Sequence, residues 1–207
     1  MREPGRHEHP ILHRAELAAD PIEQFERWYA TAQAEVPLAD AMTLATVDQE
    51  GAPDARMVLL KGFGPDGFRF FTSYESAKAG QLTASPNAAL VIYWRELDRQ
   101  VRVRGAVERL AGEDSDAYFA ARPRESQLGA WASPQSRPIE SRAALDERLL
   151  ELRRRFGDDV IPRPDFWGGF LLRYASVEFW QGQQGRLHDR FLYRPAAAEW
   201  AIERLGP

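Results

Sequence analysis

The chain has 207 residues, 44% of them hydrophobic, a net charge of −4 and no cysteine. That length is enough to bury a full core in one domain, while the missing cysteines exclude disulfides, thiolate nucleophiles, Cys-ligated zinc and iron–sulfur clusters and fit a reducing cytoplasm. The acidic balance argues against a general nucleic-acid binder, and no run approaches the roughly 20 apolar residues of a membrane span.

Residues 1–19 are expected to form a flexible arm, and 20–207 a single domain. The first fourteen residues are polar and lack the apolar run of a signal peptide. His7 and His9 form an H-x-H pair with no third ligand nearby, so no metal site is read there. Asp20 and Pro21 open a helix as N-cap and first residue, running through Phe25, Trp28 and Tyr29 toward Val36. Met42 to Val47 reads as a strand with Asp48–Gly51 as its turn. Arg56 to Phe63 and Phe68 to Ser73 are β-rich runs joined by Gly64, Pro65, Asp66 and Gly67. Gly62 to Gly67 matches G-x-G-x-x-G, but a dinucleotide site needs a helix after the glycines and a strand of aromatics follows. The glycines are hairpin punctuation.

Ser76 is expected to cap a short helix containing Lys78, ended by Ser85, Pro86 and Asn87. Ala88 to Arg95 and Gln100 to Leu110 form the next hairpin, with Val101, Val103 and Ala106 inward and Arg102 and Arg104 outward. A helix starts at Gly112–Ser115 and reaches Arg122. Ser141 to Phe156 is an amphipathic helix with Leu145, Leu149, Leu152 and Phe156 on one face, ending in a solvated Arg153–Arg155 run. Phe170 to Trp180, Asp189 to Tyr193 and Glu199 to Leu205 complete the strands. Antiparallel strands without regular βαβ alternation predict a mainly β protein with flanking helices, an α+β fold with a closed or nearly closed barrel.

Several segments carry chemistry that a scaffold does not need. From Trp180 to Arg190 the chain places an indole, an imidazole and two guanidiniums in one stretch. On an extended backbone Arg186, His188 and Arg190 share one face, which suits a planar anion. Alone, that pattern is an ordinary solvated edge strand. Arg56 and Lys61 lie on an otherwise apolar run, so they sit at a strand end, on a solvent face or against an anion. Tyr118, Arg122 and Ser126 form a second donor set around a helix end, suited to phosphate oxygens. Ser126 to Ser136 is rich in neutral donors around a buried-looking Trp131. Two clusters of phosphate-type donors point to two phosphorylated ligands.

The motifs are Arg56 to Lys61, Arg99 to Gly105, Ser126 to Ser133 with Gln135 and Ser136, Trp167 to Gly169, Glu178 to Gly182 and Arg186 to Arg190. In this order, across roughly residues 20 to 207, they closely resemble the pyridoxine/pyridoxamine 5′-phosphate oxidase family. The resemblance implies an antiparallel, Greek-key type, FMN-binding split β-barrel that forms a homodimer with FMN at the subunit interface. It implies oxidation of pyridoxine or pyridoxamine 5′-phosphate to pyridoxal 5′-phosphate, with hydride transfer from the substrate C4′ to flavin N5, O2 as acceptor and H2O2 as product.

By the same resemblance, Arg56, Met57, Val58, Leu59, Leu60, Lys61, Phe71, Thr72, Lys78, Gln100, Gln135, Ser136, Trp180 and Arg190 match cofactor-binding positions. Arg56 and Lys78 are the phosphate pair among them. Lys61, Tyr118, Arg122 and Ser126 match the grip on the substrate phosphate, and Arg186, Leu187 and His188 the positions at its pyridine ring, with Arg186 and His188 catalytic. The flavin carries the redox chemistry, which leaves orientation and electrostatics to the protein. Ala77 stands where the family usually has arginine, Met1 to Pro4 offers only Arg2 and Glu3 of the usual arm signature, and Asp40 is the nearest match to a displaced acidic residue. Two other readings stand beside the oxidase: a sister FMN oxidase of another substrate, such as the phenazine-pathway enzymes, expected to lack part of the phosphate clamp, and a non-catalytic flavin- or pyridoxal-phosphate-binding module, which would bind without forming peroxide.

Overall fold

Asp20 accepts hydrogen bonds from the Ile22 and Glu23 amides and Pro21 occupies the first position, so the helix α1 (Pro21–Glu35) starts where its sequence says. Its buried stripe, Phe25, Trp28 and Ala32, follows the helical period. The computed structural model describes residues 9–197 and 199–207. His7, Arg2 and Glu3 lie outside them.

After α1 come the strands β1 (Ala41–Val47), β2 (Pro53–Leu59), β3 (Gly62–Gly64) and β4 (Gly67–Ser73), then α2 (Ala77–Ala84). Next are β5 (Asn87–Trp94), β6 (Arg99–Arg109), α3 (Gly112–Ala121), α4 (Arg124–Ala132) and α5 (Arg142–Phe156). The chain ends with β7 (Trp167–Gln181), β8 (Asp189–Ala196) and β9 (Glu199–Leu205). All strand pairs are antiparallel. The order is β2-β1-β5-β6-β7-β4-β3, and β8 pairs with β7 and β9. Strand β7 is long enough to serve two partners along one edge: residues 167–172 pair with β4 and 177–181 with β8. Among the described residues the sheet does not close by hydrogen bonding, so the barrel is split rather than closed.

The main core fills the curve of the sheet. Met42, Leu44, Phe68, Phe70, Leu90, Ile92, Val101, Val103, Val177 and Phe179 alternate inward along their strands, and α1 lies across them, Phe25 edge-on to Phe68 and Trp28 edge-on to Phe179. A smaller core of Phe119, Leu128, Phe156, Ile161 and Trp167 joins α3, α4 and α5 to the start of β7.

Four expectations are corrected. The run Arg56–Phe63 is two strands, because the chain changes partner: the Leu60 amide donates to Asp40 and the Lys61 amide to Arg69. Ala106 faces out and Val107 in, since β6 keeps strict alternation and the extra residue of the bulge at Arg104/Gly105 lies on β7. Ser76 precedes α2 but its hydroxyl donates to the Ser73 carbonyl, leaving the first-turn amides without a side-chain cap. Residues 124–132, read only as polar, form α4, and Trp131 is half-buried beside a cavity of about 440 Å³ between α4 and α5. The Gly62–Gly67 stretch is the β3–β4 hairpin. Gly67 has φ +142°, and a Cβ there would meet the Leu172 carbonyl at 2.2 Å, so only glycine fits. Within the expected arm, Pro10, Leu12 and Ala18 are hydrogen-bonded to Gln183, Asp189, Arg204, Gln24 and Tyr193.

Candidate active site

The β1–β2 register sets Arg56 opposite Leu44. Its guanidinium donates to Thr46 Oγ1 (2.6 Å), the Leu44 carbonyl (3.2 Å) and Gln81 Oε1 (2.9 Å), and pairs with Asp54. Nearby, the first turn of α2 carries Lys78, which is only 7% exposed. Its Nζ donates to Gln135 Oε1 (3.0 Å) and Thr72 Oγ1 (3.3 Å), and Thr72 donates to the same Gln135 oxygen (2.6 Å). Among the described residues no carboxylate forms an ion pair with Lys78. Burial, and then the positive charge of Arg56, lower its pKa, with Asp54 opposing. A buried cation held only by neutral oxygens is costly; beside uncapped helix amides and a second guanidinium it makes a place for an anion. Ser136 follows Gln135 in the left-handed region at φ +68°.

On the neighbouring residue of β4, Phe71 stacks on Tyr118 at 3.8 Å and on Trp167 at 5.7 Å. Arg122, at the end of α3, lays its guanidinium 4.5 Å from the Trp167 ring, with Nη1 buried and without a hydrogen-bond partner. Burial lowers its pKa, with Tyr118 opposing. An unpartnered buried donor of this kind is a binding group in waiting. Ser126 lies half-buried in the first turn of α4. Lys61 stands apart from these three, its Nζ 2.7 Å from Asp40 Oδ2.

The third group is carried by β5 to β8, where Tyr93, Gln100, Trp180 and Arg190 form one cross-strand row. Glu178, buried on β7, accepts from Arg190 Nε at 2.8 Å and Arg102 Nη1 at 3.2 Å. These three residues, with Arg104, Arg194 and Leu205, line a groove of about 600 Å³. The His188 ring sits 4.7 Å from that of Trp180, and its Nδ1 accepts from the Gln183 amide at 3.0 Å. Neutral His188 therefore carries its proton on Nε2.

The sequence matches a model described as pyridoxamine 5′-phosphate oxidase over residues 30–154, and one described as the pyridoxine 5′-phosphate oxidase C-terminal dimerisation region over 167–207. The chain belongs to the pyridoxamine 5′-phosphate oxidase family. It is 52% identical over 200 residues to the pyridoxine/pyridoxamine 5′-phosphate oxidase of Salinibacter ruber, covering 95% of this chain and 93% of that one. To the Rubrobacter xylanophilus protein of the same name it is 53% identical over 189 residues, 91% of this chain and 87% of that one. Among solved structures, PhzG from Burkholderia lata 383, in complex with tetrahydrophenazine-1-carboxylic acid, superposes with a TM-score of 0.88 at 29% identity, covering 95% of this chain and 98% of that one. A pyridoxamine 5′-phosphate oxidase-related, FMN-binding protein from Nostoc punctiforme shares the fold, with a TM-score of 0.73 at 22% identity, covering 92% of this chain and 100% of that one.

In this family member, one chain joins Arg56 to Gln81 and Thr46, Lys78 to Thr72 and Gln135, Phe71 to Tyr118, and Trp180 to His188. It does not bring Lys61 into contact with Tyr118, Arg122 or Ser126. The expected extended face of Arg186, His188 and Arg190 is also absent. Gly185 and Arg186 have φ of +64° and +62° inside a short 3-10 turn (Gln184–Arg186), and only Arg190 of the three lies in β8. Positive φ is incompatible with a strand, and Arg186 and Leu187 are exposed. The backbone run Met57 to Leu60 leaves Met57 and Leu59 exposed and Leu60 buried. Sequence reasoning assigned no site role to Glu178 and Arg102, which lie within the motifs, and did not single out Gln81. Glu178 had a usable signal, an acid in an apolar strand, whereas Gln81 becomes visible only once α2 packs on β1.

Proposed function

We propose that this protein is an FMN-dependent oxidase converting pyridoxamine or pyridoxine 5′-phosphate to pyridoxal 5′-phosphate. The observation that carries the reading is buried Lys78, held by Thr72 and Gln135, within the field of Arg56 and, among the described residues, in no ion pair with a carboxylate. This donor set fits a flavin phosphate, which would give Lys78 the anionic partner that Asp54, paired with Arg56, does not supply. When bound, FMN would supply the two-electron redox chemistry, so that pyridoxine phosphate plus O2 would give pyridoxal phosphate and H2O2, and pyridoxamine phosphate would consume water and release ammonia as well.

The chain's own groups do the rest. Arg56 and Lys78, with Thr72 and Gln135 bonded to Lys78, hold the cofactor phosphate, with Met57 to Lys61 and Phe71 alongside; Gln100, Ser136, Trp180 and Arg190 supply the cofactor's remaining contacts. Arg122, Tyr118, Ser126 and Lys61 grip the substrate phosphate, converting binding energy into alignment of C4′. Arg186, Leu187 and His188 address the pyridine ring, His188 offering a proton held at Nε2. Because these groups lie on separate parts of one chain, and residues 167–207 match a dimerisation region, we place the complete site between two subunits related by a two-fold axis.

The test is to purify the protein with FMN, supply pyridoxamine 5′-phosphate under air, and follow pyridoxal phosphate and peroxide together. Equal, FMN-dependent appearance of both is expected. Bound flavin with neither product would favour an oxidase of another substrate, the reading supported by the likeness to PhzG.

A further inference from the structure

The turn between β7 and β8 carries Arg186 and His188, yet its residues 184–187 are exposed and two of them hold positive φ. Little packing holds that geometry, so the bonds at its two ends must do so. At the first end, the Gln183 amide donates to His188 Nδ1, while the Gln183 side chain donates to Asp189 Oδ2 (2.9 Å) and the Pro10 carbonyl (3.2 Å). At the other end, Asp189 is 4% exposed and bonded through both oxygens: Oδ2 also accepts from the Leu12 amide (3.0 Å), and Oδ1 from Arg204. Arg204 in turn donates to the Leu12 carbonyl. Burial alone would raise the Asp189 pKa, but Arg204, the Leu12 amide and Gln183 outweigh it and hold the carboxyl below its ordinary range.

We propose that Asp189 and Gln183 are positioning residues that tie the segment before α1 to the turn carrying Arg186 and His188, so that residues 10–12 help fix the ring orientation and tautomer of His188. The logic is that of any ligand whose second nitrogen is held by an outer group: the partner decides which nitrogen keeps the proton and where the ring points. Here the partner is a backbone amide whose own position is set by Asp189. The segment thereby acts on the site without touching substrate. This inference rests on the oxidase reading for its catalytic arm only.

The test uses the full-length, FMN-loaded protein and the variants Asp189→Asn and Gln183→Met, singly and together. Hydrogen exchange of the 183–188 amides is expected to quicken in each. With pyridoxamine 5′-phosphate as the probe, kcat should fall about tenfold, the lower end of outer-shell effects, with KM and FMN affinity within about twofold. The double variant should lose little more than either single one. Unchanged exchange with unchanged kcat would overturn the proposal. So would a parallel loss of FMN affinity and thermal stability, which would mark Asp189 as scaffold alone. If the wild-type protein turns over neither substrate, the oxidase reading fails by itself, and the exchange measurement still decides whether Asp189 and Gln183 hold the turn.

Discussion

Lys78 and His188 are held in opposite ways. Lys78 sits in the first turn of a helix, buried, bonded to Thr72 of β4 and to Gln135 in the turn after α4, and its cluster exists before any ligand arrives. His188 sits on a turn of exposed residues with positive φ, kept in place by bonds from Gln183 and, one step away, from the segment before α1. The first region stores an unsatisfied charge and the second a strained backbone. A cluster of the first kind is preset for a resident cofactor, whereas one of the second kind suits a ligand that enters and leaves each turnover.

The largest expected effect tests the preset half of this contrast. Lys78→Met should weaken FMN binding by at least a hundredfold, roughly 3 kcal/mol, read by flavin absorbance titration. The FMN-free variant should melt no earlier than the wild type, because an unpaired buried cation has been removed. Early melting with flavin retained would break the comparison. The pH dependence has a definite sign. Lys78 has a folded pKa lowered from 10.5 by burial and Arg56, so its charged form costs stability at neutral pH, and that cost is relieved as pH rises through the lowered pKa toward 10.5. A phosphate needs the charged form. FMN affinity should therefore fall with rising pH at a lower pH than an ordinary lysine would give, and Lys78→Arg should move that fall further into alkali.

Arg186→Ala sharpens the other half. Turnover should drop about a hundredfold, the size of a lost group that orients or stabilises charge in the reacting complex, while FMN affinity, measured by the same titration, stays put. Lost flavin with turnover per bound flavin intact would reverse the assignment. The smallest effect belongs to neither region. Asp20→Ala removes the α1 cap and should cost about 1 kcal/mol, a fall in Tm of roughly 2–4 °C for a chain of this size, with turnover unchanged; a kinetic effect would mean that α1 also sets the geometry of the 183–188 turn.

Much of the fold was legible because its signals are local. Asp20 with Pro21, Ser141 before α5 and the glycines around Pro65 and Asp66 each write their structure within a few residues. The same locality let context refuse the dinucleotide motif at Gly62–Gly67. What the sequence did not reveal was partnership: the break at Leu60 and Lys61, where the chain leaves β1 for β4, depends on where two distant strands end. The parity of Ala106 was legible in principle from strict alternation, whereas the 3-10 turn that undid the extended Arg186 to Arg190 face depends on two positive-φ residues, one of them not glycine.

By itself, then, the sequence determined the donor types, the order of the motifs and the family to which they belong, because side-chain chemistry and short-range spacing are properties of the chain. Only the tertiary structure decided that Lys78 is held by Thr72 and Gln135 with no ion-paired carboxylate among the described residues, that Glu178 clamps two arginines, and that Asp189 joins residue 12 to residue 204. Those facts depend on burial and on contacts between residues far apart in sequence, which arise only when the sheet is assembled.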